Sequence, residues 1–358
     1  MKALIAMSGG VDSSVAALMT QKMGYDCIGC TMKLYDDPST ETVGSRTCCT
    51  LEDVEDARSV AFKIGIPYYV FNFKHDFRSK VIEKFIRSYE SGMTPNPCID
   101  CNRYLKFERL FERVQVLGCD KIVTGHYARI EFDGRKYVLK KAVDPSKDQS
   151  YFLYSMTQEQ LSRTLFPLGS LSKTETRKIA EENSFINADK ADSQDICFVP
   201  NGDYAHVIET YTGKSYPPGV FQTKNGKVLG THKGIIHYTV GQRKGLGISS
   251  KEPLYVCEIQ AGNNTIILGN REELFAKTAI VSNFHWISGE KPSFPFRCFA
   301  KTRSRQQEQP VTVYPQGTDD VRIEFDHPQS AITPGQAAVL YDGEIVLGGG
   351  EIQSAGDA

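Results

Sequence analysis

Met7-Ser8-Gly9-Gly10-Val11-Asp12-Ser13-Ser14 stands between a short apolar strand, Ala3 to Ala6, and an apolar-periodic helix marked by Val11, Ala16, Leu18 and Met19. Glycines at 9 and 10 permit a backbone path with positive φ and remove the side chains that would hold an anion away. Amides at a helix start have no helical acceptor. With the hydroxyls of Ser8, Ser13 and Ser14 beside them, the turn offers a nest of donors suited to phosphate oxygens. A tight strand-to-helix turn capped by serine is the plainer reading, but Ser-Gly-Gly-x-Asp-Ser directly after an N-terminal strand is more than such a turn requires. No Gly-x-x-x-x-Gly-Lys-Ser/Thr occurs anywhere in the chain, so lysine-assisted γ-phosphoryl chemistry of the Walker type is not expected.

Outward from this loop, strand and helix patterns alternate. The segment Cys27 to Met32 reads as a strand, followed by a polar stretch to Thr50, a helix from Leu51 to Ile64 with acidic residues at its start, and the strand Tyr68 to Phe71. A helix from about His75 to Ser91, a Pro-interrupted loop, a helix marked by Leu105, Leu110, Phe111 and Val114, and the strand Lys121 to Thr124 follow. This spacing predicts an α/β fold with a doubly wound parallel sheet. Ligands of such sheets sit beyond the carboxyl ends of the strands, where Ser8, Met32 and Gly125 all fall. Ala128 to Lys140 reads as a basic hairpin closed at Asp133-Gly134, and helical patterns return at Gln158 to Thr164 and Thr174 to Asn183. The segment Ala191 to Val199 closes the α/β region. From about Gly219 the signals are short strands and Gly/Asn/Asp turns, which divide near Gly269-Asn270-Arg271 into a small central β-rich domain and a C-terminal barrel or sandwich. The expected domains are 1–203, 204–272 and 273–358.

At 358 residues the chain can bury two or three cores, and 40% hydrophobic with 24% charged residues is ordinary globular composition. The apolar start is too short for a signal peptide or a membrane span, so a cytoplasmic protein with no membrane partner is expected. Ten cysteines without a secretory signal read as core residues, ligands or nucleophiles before structural disulfides. A net charge of -1 gives no global attraction to nucleic acid, so any such footprint must be local.

Thr94-Pro95-Asn96-Pro97-Cys98-Ile99-Asp100-Cys101-Asn102 sets two cysteines three apart in a loop leading into a helix. A thiolate near a helix N-terminus is favoured by the dipole, which makes one of them a candidate nucleophile; half of a metal site and plain buried cysteines are the alternatives. Cys197, in an apolar stretch flanked by aspartate, reads by itself as a core cysteine. Cys27 and Cys30 have opposite strand parity and point to opposite faces, Cys119, Cys257 and Cys298 look like core or strand positions, and Cys48-Cys49 is unassigned. Lys147 to Leu153 mixes charge with aromatic rings as RNA contacts do, although a solvated loop fits equally. Tyr238 to Gly247 is a Gly-rich basic loop, and residues 297, 301, 303 and 305 share strand parity, so their charges are expected on one face.

The loop resembles the PP-loop of N-type ATP pyrophosphatases, which split ATP between the α and β phosphates. Over its full length the chain resembles the tRNA-specific 2-thiouridylases, which exchange O2 of the wobble uridine for sulfur. The resemblance is carried by Ala6 to Ser13, Thr94 to Pro97 with Cys101-Asn102, Thr124 to Ala128, Lys147 to Ser150, Asp195-Ile196-Cys197-Phe198, Tyr238 to Gly247 and Lys301-Thr302-Arg303. It implies an adenine nucleotide alpha hydrolase-like sheet domain, then the central domain and a C-terminal β-barrel. ATP is expected at Ala6, Met7, Ser8, Gly9, Gly10, Val11, Asp12 and Ser13 with Met32 and Gly125, and Mg2+ bridging the phosphates with help from Asp12. The target base is expected against Asn96, Pro97 and Cys98, and the tRNA against His126, Lys147, Asp148, Gln149, Arg303, Ser304 and Gln336. Cys197 would carry persulfide sulfur delivered by a donor protein, such as a cysteine desulfurase or a relay protein. Cys101 would be its partner thiol, and a disulfide bond is among the family's features. Many family members have aspartate where this chain has Cys98. Three thiolates from Cys98, Cys101 and Cys197 on a 4Fe-4S cluster form the alternative route.

Two further readings belong to other classes. A PP-loop amide-forming synthetase needs no paired cysteines, and a non-catalytic tRNA-binding or sulfur-carrying protein needs no intact PP-loop.

Overall fold

The computed structural model describes residues 1–35, 50–192, 196–199 and 202–356. Cys48, Cys49 and Asp195 lie outside the described residues.

The first region runs β1 (Lys2–Ala6), α1 (Val11–Lys22), β2 (Asp26–Lys33), α2 (Leu51–Lys63), β3 (Tyr68–Asn72), α3 (Lys74–Phe77), a π-helical turn (Arg78–Ile82) and α4 (Glu83–Glu90). It continues through α5 (Pro97–Asp100), a second π-helical stretch (Cys101–Arg109), α6 (Leu110–Val116), β4 (Lys121–Val123), the hairpin β5 (Arg129–Phe132) and β6 (Tyr137–Lys140), α7 (Gln158–Ser162), β7 (Thr164–Leu165) and α8 (Lys173–Glu182). Strands β3-β2-β1-β4-β7 form one parallel sheet, with β1 at the centre and the strand order reversing between β1 and β4. Buried on both faces, β1 is apolar at Ala3, Leu4 and Ile5, as a central parallel strand must be. One face is covered by α1, α2 and α8, whose small residues (Ala16, Ala17, Ala57, Ala180) allow close helix approach. The other is covered by the helices between Lys74 and Val116. Cys27 packs on the first face and Cys30 on the second, the opposite orientation their parity predicts. Thr50 and Ser172 fix the starts of α2 and α8 through capping boxes with Asp53 and Glu175.

After α9 (Tyr204–Thr212), strands β8 (Gly219–Gln222), β9 (Val228–His232), β10 (Tyr255–Gln260) and β11 (Thr265–Gly269) make a four-stranded sheet in the order β10-β11-β8-β9. The remaining strands are β12 (Phe275–Trp286), β13 (Phe296–Lys301), β14 (Gln309–Gln316), β15 (Asp320–Ser330), β16 (Ala337–Asp342) and β17 (Ile345–Gly356). They close into a six-stranded barrel through pairing of β12 with β17, around a core that includes Val281, Val311, Ile323, Leu340 and Ile352.

Four expectations change. Residues 158–164 do not form one helix: α7 ends at Ser162, and Thr164–Leu165 is an edge strand that pairs with Ile122 and Val123. The hairpin is present, but it extends the barrel sheet, with Lys140 opposite Ile345. Cys98 and Cys101 lie in the helix itself, because Pro97 occupies its first turn, where a missing amide costs nothing. Strand β13 ends at Lys301, so Arg303 and Arg305 lie in the following turn and do not continue its alternation.

Candidate active site

The loop after β1 lies at the strand-order reversal, where α/β sheets bind ligands. Met7 still donates to Cys30 O (2.7 Å) before the chain turns. Gly9 then takes φ +78°, and a Cβ there would stand 2.3 Å from Asp53 O, so only glycine fits. Gly10 differs: its φ is -86° and a Cβ would meet nothing closer than Ser8 Oγ at 3.6 Å. One glycine serves packing; the other faces open space. The amides of Gly9, Gly10, Val11 and Asp12 have no protein acceptor among the described residues. Ser13 Oγ accepts from Ser8 N (3.1 Å) and donates to Gly10 O (3.0 Å), while Asn187 Nδ2 donates to Gly9 O (2.8 Å) and Ser14 Oγ (2.9 Å). Gly125, beyond the end of β4, lies so near α1 that a Cβ would be 2.8 Å from Ser13 N. The structure therefore brings Ala6 to Ser13 and Gly125 together, with Met32 at the end of the neighbouring strand β2.

Asp12 carries a network that the sequence motifs do not announce. Its Oδ1 accepts from Tyr127 OH (2.9 Å) and from Lys173 Nζ (2.6 Å). Lys173 also pairs with Asp192 at 2.7 Å, and Asp192 pairs with Lys147 (2.8 Å) and Arg177 (3.1 Å). Burial works against ionised Asp192, but the Lys147 and Lys173 ammoniums hold its carboxyl below the usual carboxylate range. Lys190 holds Asp53 (2.8 Å) and Asp56 (2.6 Å) beside the loop. Lys173, Lys190 and Asn187 come from chain segments at least 159 residues from the loop, and only the folded sheet reveals them.

The stretch from Lys147 to Gln149 is tied to the same network. Gln149 exchanges two hydrogen bonds with the Tyr127 backbone, and Asp148 accepts from Ala142 N, Ser150 N and Ser150 Oγ. His126, 7% exposed, sits between the Phe107 and Phe166 rings, with Nδ1 2.6 Å from Thr124 Oγ1 and Nε2 3.4 Å from Lys106 Nζ. Burial first, and Lys106 second, hold the imidazole neutral, well below its ordinary range.

A second centre forms around Thr94 to Cys101. The barrel reaches this loop through Thr94 N to Pro334 O (2.8 Å) and Gln336 Nε2 to Thr94 O (2.7 Å). The central domain reaches it through Thr94 Oγ1 and Thr239 Oγ1, 3.4 Å apart. Arg303 ties the latter two together, donating to Thr333 Oγ1 (2.6 Å) and Val240 O (3.2 Å), with Ser304 in the adjoining turn. Behind the helix, Lys84 bridges Asp100 (3.0 Å) and Glu351 of β17 (3.1 Å). Gln336, Arg303 and the Asn96–Pro97–Cys98 turn thus belong to one junction of all three domains.

Five of the eight described cysteines are poor nucleophiles. Burial pushes the thiols of Cys27 and Cys257 up to about 11, Cys298 to about 12, and Cys119 and Cys30 upward as well. The other three are Cys98, which is exposed, and Cys101 and Cys197, which are partly exposed. Cys101 and Cys197 pack against the same apolar core. Tyr35 OH donates to Cys197 O (2.7 Å), and Phe198 wedges edge-on against Phe77 and Phe85. Among the described residues no group of three His, Cys, Asp or Glu side chains is placed to hold a metal ion.

A Ser-Gly-Gly-Val-Asp-Ser loop at the switch point of a doubly wound sheet, followed by a four-stranded β domain and a closed barrel, defines a multidomain enzyme of the PP-loop class. Residues 1–201 match the family described as tRNA methyl transferase HUP domain, 205–270 its PRC-barrel domain, and 276–352 the aminomethyltransferase beta-barrel domain. The chain is 49% identical to the tRNA-specific 2-thiouridylase MnmA of Clostridioides difficile, over 99% of this chain and 98% of that protein. It is 48% identical to the protein of that name from Symbiobacterium thermophilum (99% and 92% covered) and 49% identical to that of Acetivibrio thermocellus (98% and 99%). The chain belongs to the tRNA-specific 2-thiouridylase family. Among the described residues no helix is long and apolar enough to cross a membrane.

Proposed function

We propose that this enzyme adenylates O2 of a wobble uridine in tRNA and replaces that oxygen with sulfur carried on Cys197. The observation that carries the reading is the combination of a nucleotide-phosphate loop with an exposed Cys98 and a partly exposed Cys101 in the helix that follows Thr94 to Asn96, and a partly exposed Cys197 that packs on the same apolar core as Cys101. Methyl transfer, which the family descriptions invite, has no use for a loop that binds nucleotide phosphates.

Uracil C2 is a poor electrophile and its oxygen a poor leaving group; transfer of AMP to O2 corrects both. ATP lies along the PP-loop, with the amides of Gly9 to Asp12, which have no acceptor among the described residues, as donors to its phosphates. O2 attacks the α-phosphorus, the bond to the β-phosphate oxygen breaks and pyrophosphate leaves. Asp12 keeps Oδ2 without a hydrogen-bond partner among the described residues, a hard carboxylate oxygen that would hold Mg2+, and the ion would supply charge neutralisation on the phosphates. The uridine lies against Asn96, Pro97 and Cys98, with the tRNA body across Lys147 to Gln149, Arg303, Ser304 and Gln336, while the buried His126 supports this surface from beneath and does not touch the tRNA. The terminal sulfur of the Cys197 persulfide, or the sulfide that Cys101 displaces from it, adds to C2. The C2–O bond then breaks and AMP leaves with that oxygen. On the direct route the Cys101 thiolate then attacks Cys197 Sγ, breaking the S–S bond and leaving the sulfur on C2; on either route Cys101 and Cys197 end as a disulfide, which an external thiol must reduce before the next turnover. The sulfur comes from a donor protein that transfers persulfide.

The test is isotopic. With tRNA labelled with 18O at uridine O2, one 18O per AMP is expected by mass spectrometry; label remaining in the tRNA or passing to water contradicts O2 adenylation.

A further inference from the structure

The PP-loop contains no lysine, yet it must hold a triphosphate and release pyrophosphate. Lys173, the first residue of α8, reaches into the loop from a neighbouring helix: its Nζ lies 2.6 Å from Asp12 Oδ1 and 2.7 Å from Asp192 Oδ1, with the side chain 12% exposed. The ammonium also stands 5.9 Å over the Tyr127 ring, whose hydroxyl meets both Asp12 (2.9 Å) and Thr176 (3.0 Å), so the lysine stem is held at the loop from three sides.

We propose that Lys173 is the cation that binds the β- and γ-phosphates of ATP and stays with the departing pyrophosphate, with Asp12 and Asp192 as its resting partners. This rests on the reading of the loop as the ATP site. The exchange of partners is inexpensive. Removing one member of a buried ion pair normally strands the other charge. Here Asp192 keeps Lys147 at 2.8 Å and Arg177 at 3.1 Å, and Asp12 keeps the Tyr127 hydroxyl at 2.9 Å. A phosphate oxygen then meets an ammonium already desolvated and aimed at the loop, as charge-assisted recognition requires. AMP has only the α-phosphate and makes no such contact.

The experiment is calorimetric titration of the full chain with ATP, pyrophosphate and AMP, without tRNA or sulfur donor, for wild type, Lys173→Gln and Lys173→Arg. Lys173→Gln is expected to raise Kd for ATP and pyrophosphate roughly ten- to hundredfold while AMP changes by less than about threefold, and Lys173→Arg to recover most of the loss. An equal loss for all three ligands, or a fall in thermal midpoint that accounts for it, assigns Lys173 a structural role and overturns the proposal. Unchanged ATP and pyrophosphate binding in Lys173→Gln also overturns it. Wild type that binds neither ATP nor AMP overturns the reading of the loop itself, and this assignment with it.

Discussion

Gln336 of the barrel donates a 2.7 Å hydrogen bond from Nε2 to the carbonyl oxygen of Thr94, three residues before the helix that carries Cys98 and Cys101. A domain more than 240 residues away thus fixes the entry to the cysteine helix, and a Cβ at Gly335 would already stand 2.9 Å from Thr94 N. One such neutral bond contributes about 1 kcal/mol. Gln336→Ala should therefore slow tRNA thiolation roughly fivefold and leave Kd for ATP unchanged. Parallel loss of ATP binding would show that the junction does not act on the tRNA side alone.

The two loop glycines should separate in mutagenesis. Gly9→Ala forces a Cβ against Asp53 O at positive φ and should lower stability by about 2 kcal/mol or more, with loss of nucleotide binding. Gly10→Ala should melt within a few degrees of wild type, because its φ suits any residue and its Cβ has room. Gly10→Val should fold and fail to release pyrophosphate. Thermal melts with pyrophosphate assays decide this; a Gly9→Ala protein as stable as wild type removes the packing account.

Much of this was legible in the sequence. Ser8 to Ser14, the parity of Cys27 and Cys30 and the switch from strand-helix alternation to short strands lie in local pattern, and local pattern survives folding. Strand β7 was not legible, because two residues carry no periodicity and Thr164–Leu165 is a strand only by pairing with Ile122 and Val123. Nor was the ion network. Lys173 sits in an unremarkable Ser-Lys-Thr-Glu helix start, and its meaning comes from Asp12, 161 positions earlier. The alternation of basic residues misled because β13 ends at Lys301, where Thr302 turns inward to Gln306. Arg297 instead pairs with Asp326 at 2.6 Å.

Acid should reveal Asp192. Its carboxyl is held below the usual range by Lys147 and Lys173 against the opposing effect of burial, so the folded form takes up the proton less readily than the unfolded chain. The stabilisation is complete above the unfolded value of about 3.9 and is lost as pH falls through the lower folded value. Urea midpoints for wild type should drop below pH 4 more steeply than those for Asp192→Asn. Parallel curves would contradict the network.

Thiol reactivity should follow exposure together with thiol acidity: Cys257 is as partly exposed as Cys101 and Cys197, but its thiol is pushed up to about 11 by desolvation and by Glu273. After reduction, limiting iodoacetamide at neutral pH should label Cys98 first, then Cys101 and Cys197, and leave Cys27, Cys30, Cys119, Cys257 and Cys298 intact in the native protein. Peptide mass spectrometry reads this directly. Labelling of Cys257 or Cys298 at the rate of Cys98 would remove the argument that singles out three cysteines.

The most direct measurement is nucleoside mass spectrometry of tRNA incubated with the purified enzyme, Mg-ATP and a persulfide donor, comparing wild type with Cys197→Ser. Wild type is expected to convert wobble uridine to 2-thiouridine, and Cys197→Ser to release pyrophosphate while forming none. Formation of 2-thiouridine by Cys197→Ser at the wild-type rate, or its absence with wild type, would contradict sulfur transfer from Cys197 to an adenylated uridine.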